Sequence, residues 1–136
     1  MEPIKTLLAC WDEATETAVA TLGPQFAVTV VHTIDDAKRK LGQHRYDLIV
    51  ATIRFDESRP LDLMPLSHQH DVPVALVRFG VSRLHREVVT AVFMAARSLG
   101  SKATIDLATR SRAVGMGAAV AELRAELIGA SGFTVD

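Results

Sequence analysis

Short apolar runs alternate with longer amphipathic segments along the chain, and this alternation limits the possible folds more than any other feature. The runs have the length of β-strands, and the segments between them repeat apolar residues at the spacing of core-facing helices. Most runs are apolar throughout, so their strands are expected to be covered on both faces. The predicted strands are 4–10, 26–31, 47–53, 72–78 and 102–107; the predicted helices are 12–22, one capped by Thr33 that ends before Gly42, about 61–68, 82–99 and 110–128.

This order of elements predicts an α/β fold. Five βα units form a three-layer, doubly wound parallel sheet of the flavodoxin-like class, and 136 residues suit one domain spanning 1–136. The net charge of -1 gives no reason to expect a nucleic acid or an anionic membrane as partner. One cysteine, Cys10, and no long uninterrupted apolar stretch favour a cytoplasmic location without a membrane segment.

The third predicted strand runs from Asp47 through four apolar residues to Thr52. In this it resembles the receiver domain of bacterial response regulators, whose corresponding strand runs from an aspartate to the phosphoryl-accepting aspartate. The resemblance covers about residues 4–128 and is most specific in 33–52 and 72–78. It implies a single receiver-like domain with the strand order 2-1-3-4-5, and it places Thr52 where the acceptor lies.

The resemblance also implies that the rest of the phosphoryl-transfer site has changed. Receiver domains hold magnesium with acids that follow the first strand, and they use a hydroxyl at the end of strand four and a lysine at the end of strand five. Here Trp11 replaces one acid, while Asp12 and Glu13 remain. Arg78 stands in place of the hydroxyl, and Leu107 falls near the lysine position. We therefore expect no ordinary phosphorylation, no enzymatic activity, no resident metal and no cofactor.

Two side chains of this degenerate pocket have two interpretations each. Arg78 could occupy the vacated metal position and pair with Asp12, or extend into solvent from the strand end. Trp11 could plug the pocket or simply cover the end of the sheet.

Other candidates for chemistry are weaker. The segment 68–71 offers three potential metal ligands, but no second cluster completes a tetrahedral site, so a solvated loop is favoured. His32 and His85 are expected on the surface, and Cys10 in the core. The run Arg83, His85 and Arg86 near Arg78 is the one possible anion site, with a solvated helix face as the alternative.

The fourth and last predicted helices carry more apolar residues than one buried stripe requires. Either the helices are widely buried or the second stripe meets a partner. In receiver domains, helix four, strand five and helix five form the usual dimerisation and output surface. On the fourth helix the predicted core stripe is Val81, Leu84, Val88, Val92, Ala95 and Leu99, and the interface candidates are Val89, Phe93 and Ala96. On the last helix the predicted core stripe is Ala113, Met116, Val120, Leu123 and Leu127, flanked by Val114, Gly117, Ala118, Ala121 and Ile128, of which Val114, Ala118 and Ala121 are interface candidates.

The functional prediction is a phosphorylation-independent signalling module that binds an unidentified protein partner or forms a homodimer through helices four and five. The first alternative is an atypical phosphoacceptor that uses a displaced acid, Asp12 or Asp56. The second is a sensor of a small ligand. The chain after residue 129 has no room for a DNA-binding domain, so direct contact with nucleic acid is not expected.

Overall fold

A five-stranded parallel sheet forms the centre of the structure. The computed structural model describes residues 2–80 and 86–132. The strand order is β2-β1-β3-β4-β5, and every strand pair is parallel, which confirms the flavodoxin-like fold. The predicted strand ends differ from the observed ones by no more than two residues. The strands are β1 (Ile4–Ala9), β2 (Phe26–Val31), β3 (Leu48–Ala51), β4 (Val74–Arg78) and β5 (Ala103–Asp106).

Helices connect the strands and cover both faces of the sheet. The helices are α1 (Thr15–Leu22), α2 (Ile34–Gln43), α3 (Leu63–His70), α4 (Arg86–Ser98), α5 (Leu107–Val114) and α6 (Met116–Ser131), with short turns at Asp12–Ala14, Phe55–Ser58 and Pro60–Asp62. Thr33 caps α2 as predicted, because its Oγ1 accepts a hydrogen bond from the Asp36 N–H at 3.1 Å. Within the described ranges, no helix combines the length and the apolar character needed to cross a membrane.

The apolar core consists of two layers, one on each face of the sheet. Residues of one strand alternate between the layers, as the pleat requires. Leu7, Ile49 and Leu76 belong to the layer under α2, α3 and α4. Leu8 and Val50 belong to the layer under α1, α5 and α6. Burial on both faces explains why the strands are apolar throughout.

The assignment of the two apolar stripes on α4 is corrected by the structure. Val89, Phe93 and Ala96, the predicted interface candidates, are buried at 4%, 8% and 1% exposure. Val88 and Leu99, from the predicted core stripe, are 43% and 47% exposed. The two stripes are offset by one residue, which separates them by about 100° around the helix axis. Apolar periodicity alone does not decide which stripe faces the sheet. Val92 and Ala95 are partly buried, while Val81 and Leu84 lie outside the described residues.

The last predicted helix is two helices. Gly115, at φ 89°, separates α5 from α6 in a conformation that favours glycine. Leu123 and Leu127 are buried as predicted, but Met116 is 57% exposed, which corrects its place in the core stripe. Ala113 is exposed as well, and Ala119 is buried where no core residue was predicted. The interface candidates Val114, Ala118 and Ala121 are all exposed.

Candidate functional site

Four of the six residues predicted to form a degenerate pocket lie where the strands end. Parallel strands end at the same edge of a sheet, and ligands of this fold class bind there. Trp11 and Asp12 follow β1, Thr52 and Arg54 follow β3, Arg78 ends β4 and Asp106 ends β5. We call this set the carboxyl edge.

Thr52 is enclosed at the centre of the carboxyl edge. Its side chain is only 7% exposed, and its backbone N–H donates to the Ala9 carbonyl at 3.0 Å. The Oγ1 atom is buried without a hydrogen-bond partner among the described residues. A buried hydroxyl without a partner destabilises a fold by about 1–3 kcal/mol, so this position is not optimised for stability alone.

Arg78 pairs with Asp106, so the structure shows neither of the two interpretations, a pair with Asp12 or extension into solvent. Its Nη1 donates to Asp106 Oδ2 at 3.1 Å, with side-chain exposures of 16% and 22%. The β4–β5 register places Arg78 directly opposite Asp106. Asp106 also caps α5, because Oδ1 accepts from the Thr109 N–H at 3.2 Å. The pair therefore joins two strand ends to a helix.

Leu107 takes no part in the carboxyl edge. It begins α5, is 1% exposed and belongs to the core layer under α1, α5 and α6. The acid immediately before it was missed at the sequence level. Asp106 precedes a helix, and that is the usual signal for an N-cap, so the sequence did carry a sign of its role.

Asp12 contacts His32 at the end of β2. Asp12 Oδ1 lies 3.0 Å from His32 Nδ1, and the same nitrogen lies 2.9 Å from the Cys10 carbonyl oxygen. Both oxygens are acceptors, so His32 Nδ1 carries a proton and donates to them. The Asp12 side chain is 78% exposed, and Glu13 is exposed too. Of the two retained acids, Asp12 is thus the one tied to the sheet.

The Trp11 ring contacts the guanidinium of Arg54, a contact that the sequence pattern did not predict. The ring is 39% exposed, and the Arg54 guanidinium carbon lies 5.1 Å from its centroid, within the range of a cation–π contact. Arg54 follows β3, which pairs with β1, so the two residues extend neighbouring strands. Trp11 therefore covers the end of the sheet together with Arg54.

Asp56 is held in the loop after β3. Its Oδ2 accepts from the Ile34 N–H at 2.7 Å, and its Oδ1 accepts from Arg59 Nη2 at 2.9 Å. The Ile34 hydrogen bond lowers the pKa of Asp56, partial burial opposes this shift, and Arg59 reinforces it. Asp56, Glu57 and Ser58 all have positive φ, at 45°, 57° and 64°. The carboxylate thus fixes a strained loop to the start of α2.

The remaining candidates do not gather into a site. His68 Nε2 lies 3.1 Å from the Leu99 carbonyl oxygen. Within residues 2–80 and 86–132, no group of three or more His, Cys, Asp and Glu side chains is placed to hold a metal ion. Cys10 is fully buried as predicted, and burial raises the pKa of its thiol. Arg86 is exposed, whereas Arg83 and His85 lie outside the described residues.

Solved structures share this architecture. HP1043, an orphan response regulator of H. pylori, is 16% identical with a TM-score of 0.60, covering 91% of this chain and 96% of that one. NtrX of Brucella abortus is 17% identical with a TM-score of 0.66, covering 96% of this chain and 28% of that one. This is the fold of a response-regulator receiver domain. No protein-family model matches the sequence, and no curated protein does so either.

A third solved structure also has the receiver fold. A response regulator of Burkholderia pseudomallei is 20% identical with a TM-score of 0.56, covering 90% of this chain and 72% of that one. It was determined with a phosphorylated aspartic acid, a calcium ion and citrate. At these identities the likeness concerns the receiver fold alone.

Proposed function

We propose that this chain is a phosphorylation-independent, receiver-like signalling module that acts by binding another protein chain. The observation that carries the proposal is the replacement of acid by hydroxyl and cation at the carboxyl edge. Thr52 follows β3, where the resemblance places the acceptor, and Arg78 at the end of the neighbouring strand β4 forms an ion pair with Asp106. A threonine hydroxyl cannot form an acyl phosphate.

The donor set at the carboxyl edge also argues against a magnesium site. Magnesium requires several oxygen ligands in a strict octahedron. Thr52 offers a neutral oxygen, Asp106 is engaged by a guanidinium, and Asp12 is engaged by His32. The positive charge of Arg78 opposes a cation at the same place.

The alternative is an atypical phosphoacceptor, and the two candidate acids differ in availability. Both oxygens of Asp56 accept hydrogen bonds, so phosphorylation there would break the link between its loop and α2. Asp12 is 78% exposed and has a neighbouring imidazole. If the chain does accept a phosphoryl group, we therefore propose Asp12 as the acceptor.

The proposed interaction surface is formed by α4, β5 and α6, which we call the α4–β5–α6 face. Strand β5 is the outermost strand of the sheet, and a groove of about 700 Å³ lies beside it. Arg97 of α4, Lys102, Arg110 of α5 and Glu126 of α6 line the groove. A sheet edge with a lined groove beside it is a common binding surface for protein segments.

Exposed apolar residues on the adjoining helices support a homodimer through the same surface. Val114 is 48% exposed at the end of α5, and Ala118 and Ala121 are exposed on α6. Small side chains allow close approach of a second helix.

The oligomeric state tests the homodimer. Light scattering of the whole chain at micromolar concentration should give twice the chain mass, and Val114→Asp or Ala121→Asp should give the monomer mass. Val19→Asp is the matched control, because Val19 is 40% exposed on α1, outside the proposed face. A wild-type monomer would contradict the homodimer, while capture of another chain that Ala121→Asp abolishes would keep the interaction proposal.

A further inference from the structure

Unpaired polar atoms concentrate at the carboxyl edge. Four buried side-chain nitrogen or oxygen atoms of the described residues have no hydrogen-bond partner. Three of them are Thr52 Oγ1, Arg54 Nε and Arg78 Nε; the fourth, Arg110 Nη1 beside the groove near β5, has an ion-pair partner in Glu126 Oε1 at 3.1 Å. Buried polar groups without a partner are rare in folded proteins, and a cluster of them points to a missing ligand, ion or water.

The three groups extend from the ends of two hydrogen-bonded strands. Thr52 and Arg54 follow β3, Arg78 ends β4, and the register pairs Ala51 with Leu76 just before them. The strand order changes direction between β1 and β3, and Trp11, which follows β1, contacts Arg54, which follows β3. Ligands of doubly wound sheets bind at such a switch point.

The chemistry of the unpaired groups defines the missing partner. An arginine Nε–H only donates, and a threonine hydroxyl can donate, so the partner must accept. Arg78 uses Nη1 for Asp106 and keeps its Nε–H unpaired. Arg54 stacks on Trp11 and has no carboxylate partner among the described residues. Two guanidinium donors and a hydroxyl suit an oxyanion better than a neutral acceptor.

We propose that Thr52, Arg54 and Arg78 form a non-covalent binding site for a small oxyanion, either free inorganic phosphate or the phosphate group of a small ester. The site thus presents positively charged groups to an anion, whereas a metal site presents carboxylates to a cation. This site does not depend on the protein-binding proposal, and either can fail without the other. The oxyanion is held and released without any covalent step.

The Trp11–Arg54 contact gives the site its own reporter. Trp11 is the only tryptophan of the chain, and its ring lies against one of the proposed ligand-binding side chains. An oxyanion that accepts from Arg54 Nε moves the guanidinium or offsets its positive charge beside the indole. Binding should therefore change the tryptophan fluorescence.

Titration of the whole chain with inorganic phosphate, and separately with glycerol 3-phosphate, tests the proposal. Equilibrium dialysis measures binding, fluorescence of Trp11 is the second readout, and sodium chloride keeps the ionic strength constant. We expect saturable binding that is fully reversed by dialysis. The probe that binds with the lower Kd shows whether the site takes free phosphate or a phosphate ester.

Variants assign the site to its residues. Arg54→Gln and Arg78→Gln should each weaken binding by about tenfold or more, since each removes a charged hydrogen bond. Thr52→Val is nearly isosteric and should weaken it several-fold, so the test survives if Arg78→Gln fails to fold. Arg39→Gln is the control, because Arg39 is an exposed arginine paired with Asp36.

Two results would overturn the oxyanion site. One is the absence of saturable binding for both probes, which would leave the unpaired groups to water. The other is binding that all three site variants retain at the wild-type affinity.

Discussion

Single residues set the chemistry of the carboxyl edge, and the Arg78–Asp106 pair is the clearest case. Both side chains are mostly buried, at 16% and 22% exposure, and Asp106 also caps α5. Breaking a buried ion pair by removing one charge leaves the other without compensation. Removing one partner of this pair should therefore destabilise the fold more than removing one partner of an exposed pair does.

Asp106→Asn should lower the free energy of unfolding by about 2 kcal/mol, because it leaves the mostly buried Arg78 charge without its partner, while asparagine still caps the helix. The matched control is Asp36→Asn, which breaks an exposed pair with Arg39 and should lower it by less than about 0.5 kcal/mol. Urea unfolding measures both variants. Equal losses for the two would show that the Arg78–Asp106 pair has no special role.

The lowered pKa of Asp56 predicts a pH dependence of stability. A carboxyl whose folded-state pKa lies below its ordinary value of 3.8 stabilises the fold above that pH, and the contribution is lost as the pH falls through the folded-state pKa. Asp56→Asn should therefore destabilise the protein at pH 7 by about 1–2 kcal/mol, and the difference should shrink below 3.8. Urea unfolding across this range measures it. Parallel curves for the two proteins would contradict the assignment.

At the scale of elements, α4 shows how burial divides a helix that is apolar on two sides. Its inner stripe, including Phe93, packs on the sheet, while Met94 on the next position is 60% exposed. Comparing substitutions at Phe93 and Met94 therefore reports which side of α4 faces the sheet.

Phe93→Ala should lower the free energy of unfolding by about 3–4 kcal/mol, because it removes a buried ring and leaves a cavity. Met94→Ala should change it by less than about 0.5 kcal/mol, since that side chain is exposed. Urea unfolding of the two variants measures the difference. The opposite order would contradict the orientation of α4 in the structure.

The strands and the cap of α2 could be predicted because their signals are local. A continuously apolar run predicts a strand, and a threonine before an acidic first turn predicts a helix cap. Both patterns are visible in a few consecutive residues. The buried stripe of α4 could not be predicted, since two stripes at helical spacing are equally good until the sheet is present. The Arg78–Asp106 pair could not be predicted either, because it depends on the register of β4 and β5, which the sequence pattern does not give.

At the scale of the whole molecule, a receiver fold surrounds a carboxyl edge with different chemistry. Thr52, Arg54 and Arg78 supply a hydroxyl and two cations where the resemblance implied an acceptor and its helpers. The sheet and its two core layers do not depend on those groups, so the fold survives their replacement. The α4–β5–α6 face is then the part of the molecule proposed to act.

The central claim is that this protein works without accepting a phosphoryl group, and intact-mass measurement tests it most directly. The whole chain is incubated with acetyl phosphate and magnesium, and its mass is measured beside Asp12→Asn treated in the same way. We predict that both masses stay unchanged, because the chain has no acid at the acceptor position. A stable addition of one phosphoryl group to the wild type would contradict the claim, and its loss in Asp12→Asn would identify the acceptor.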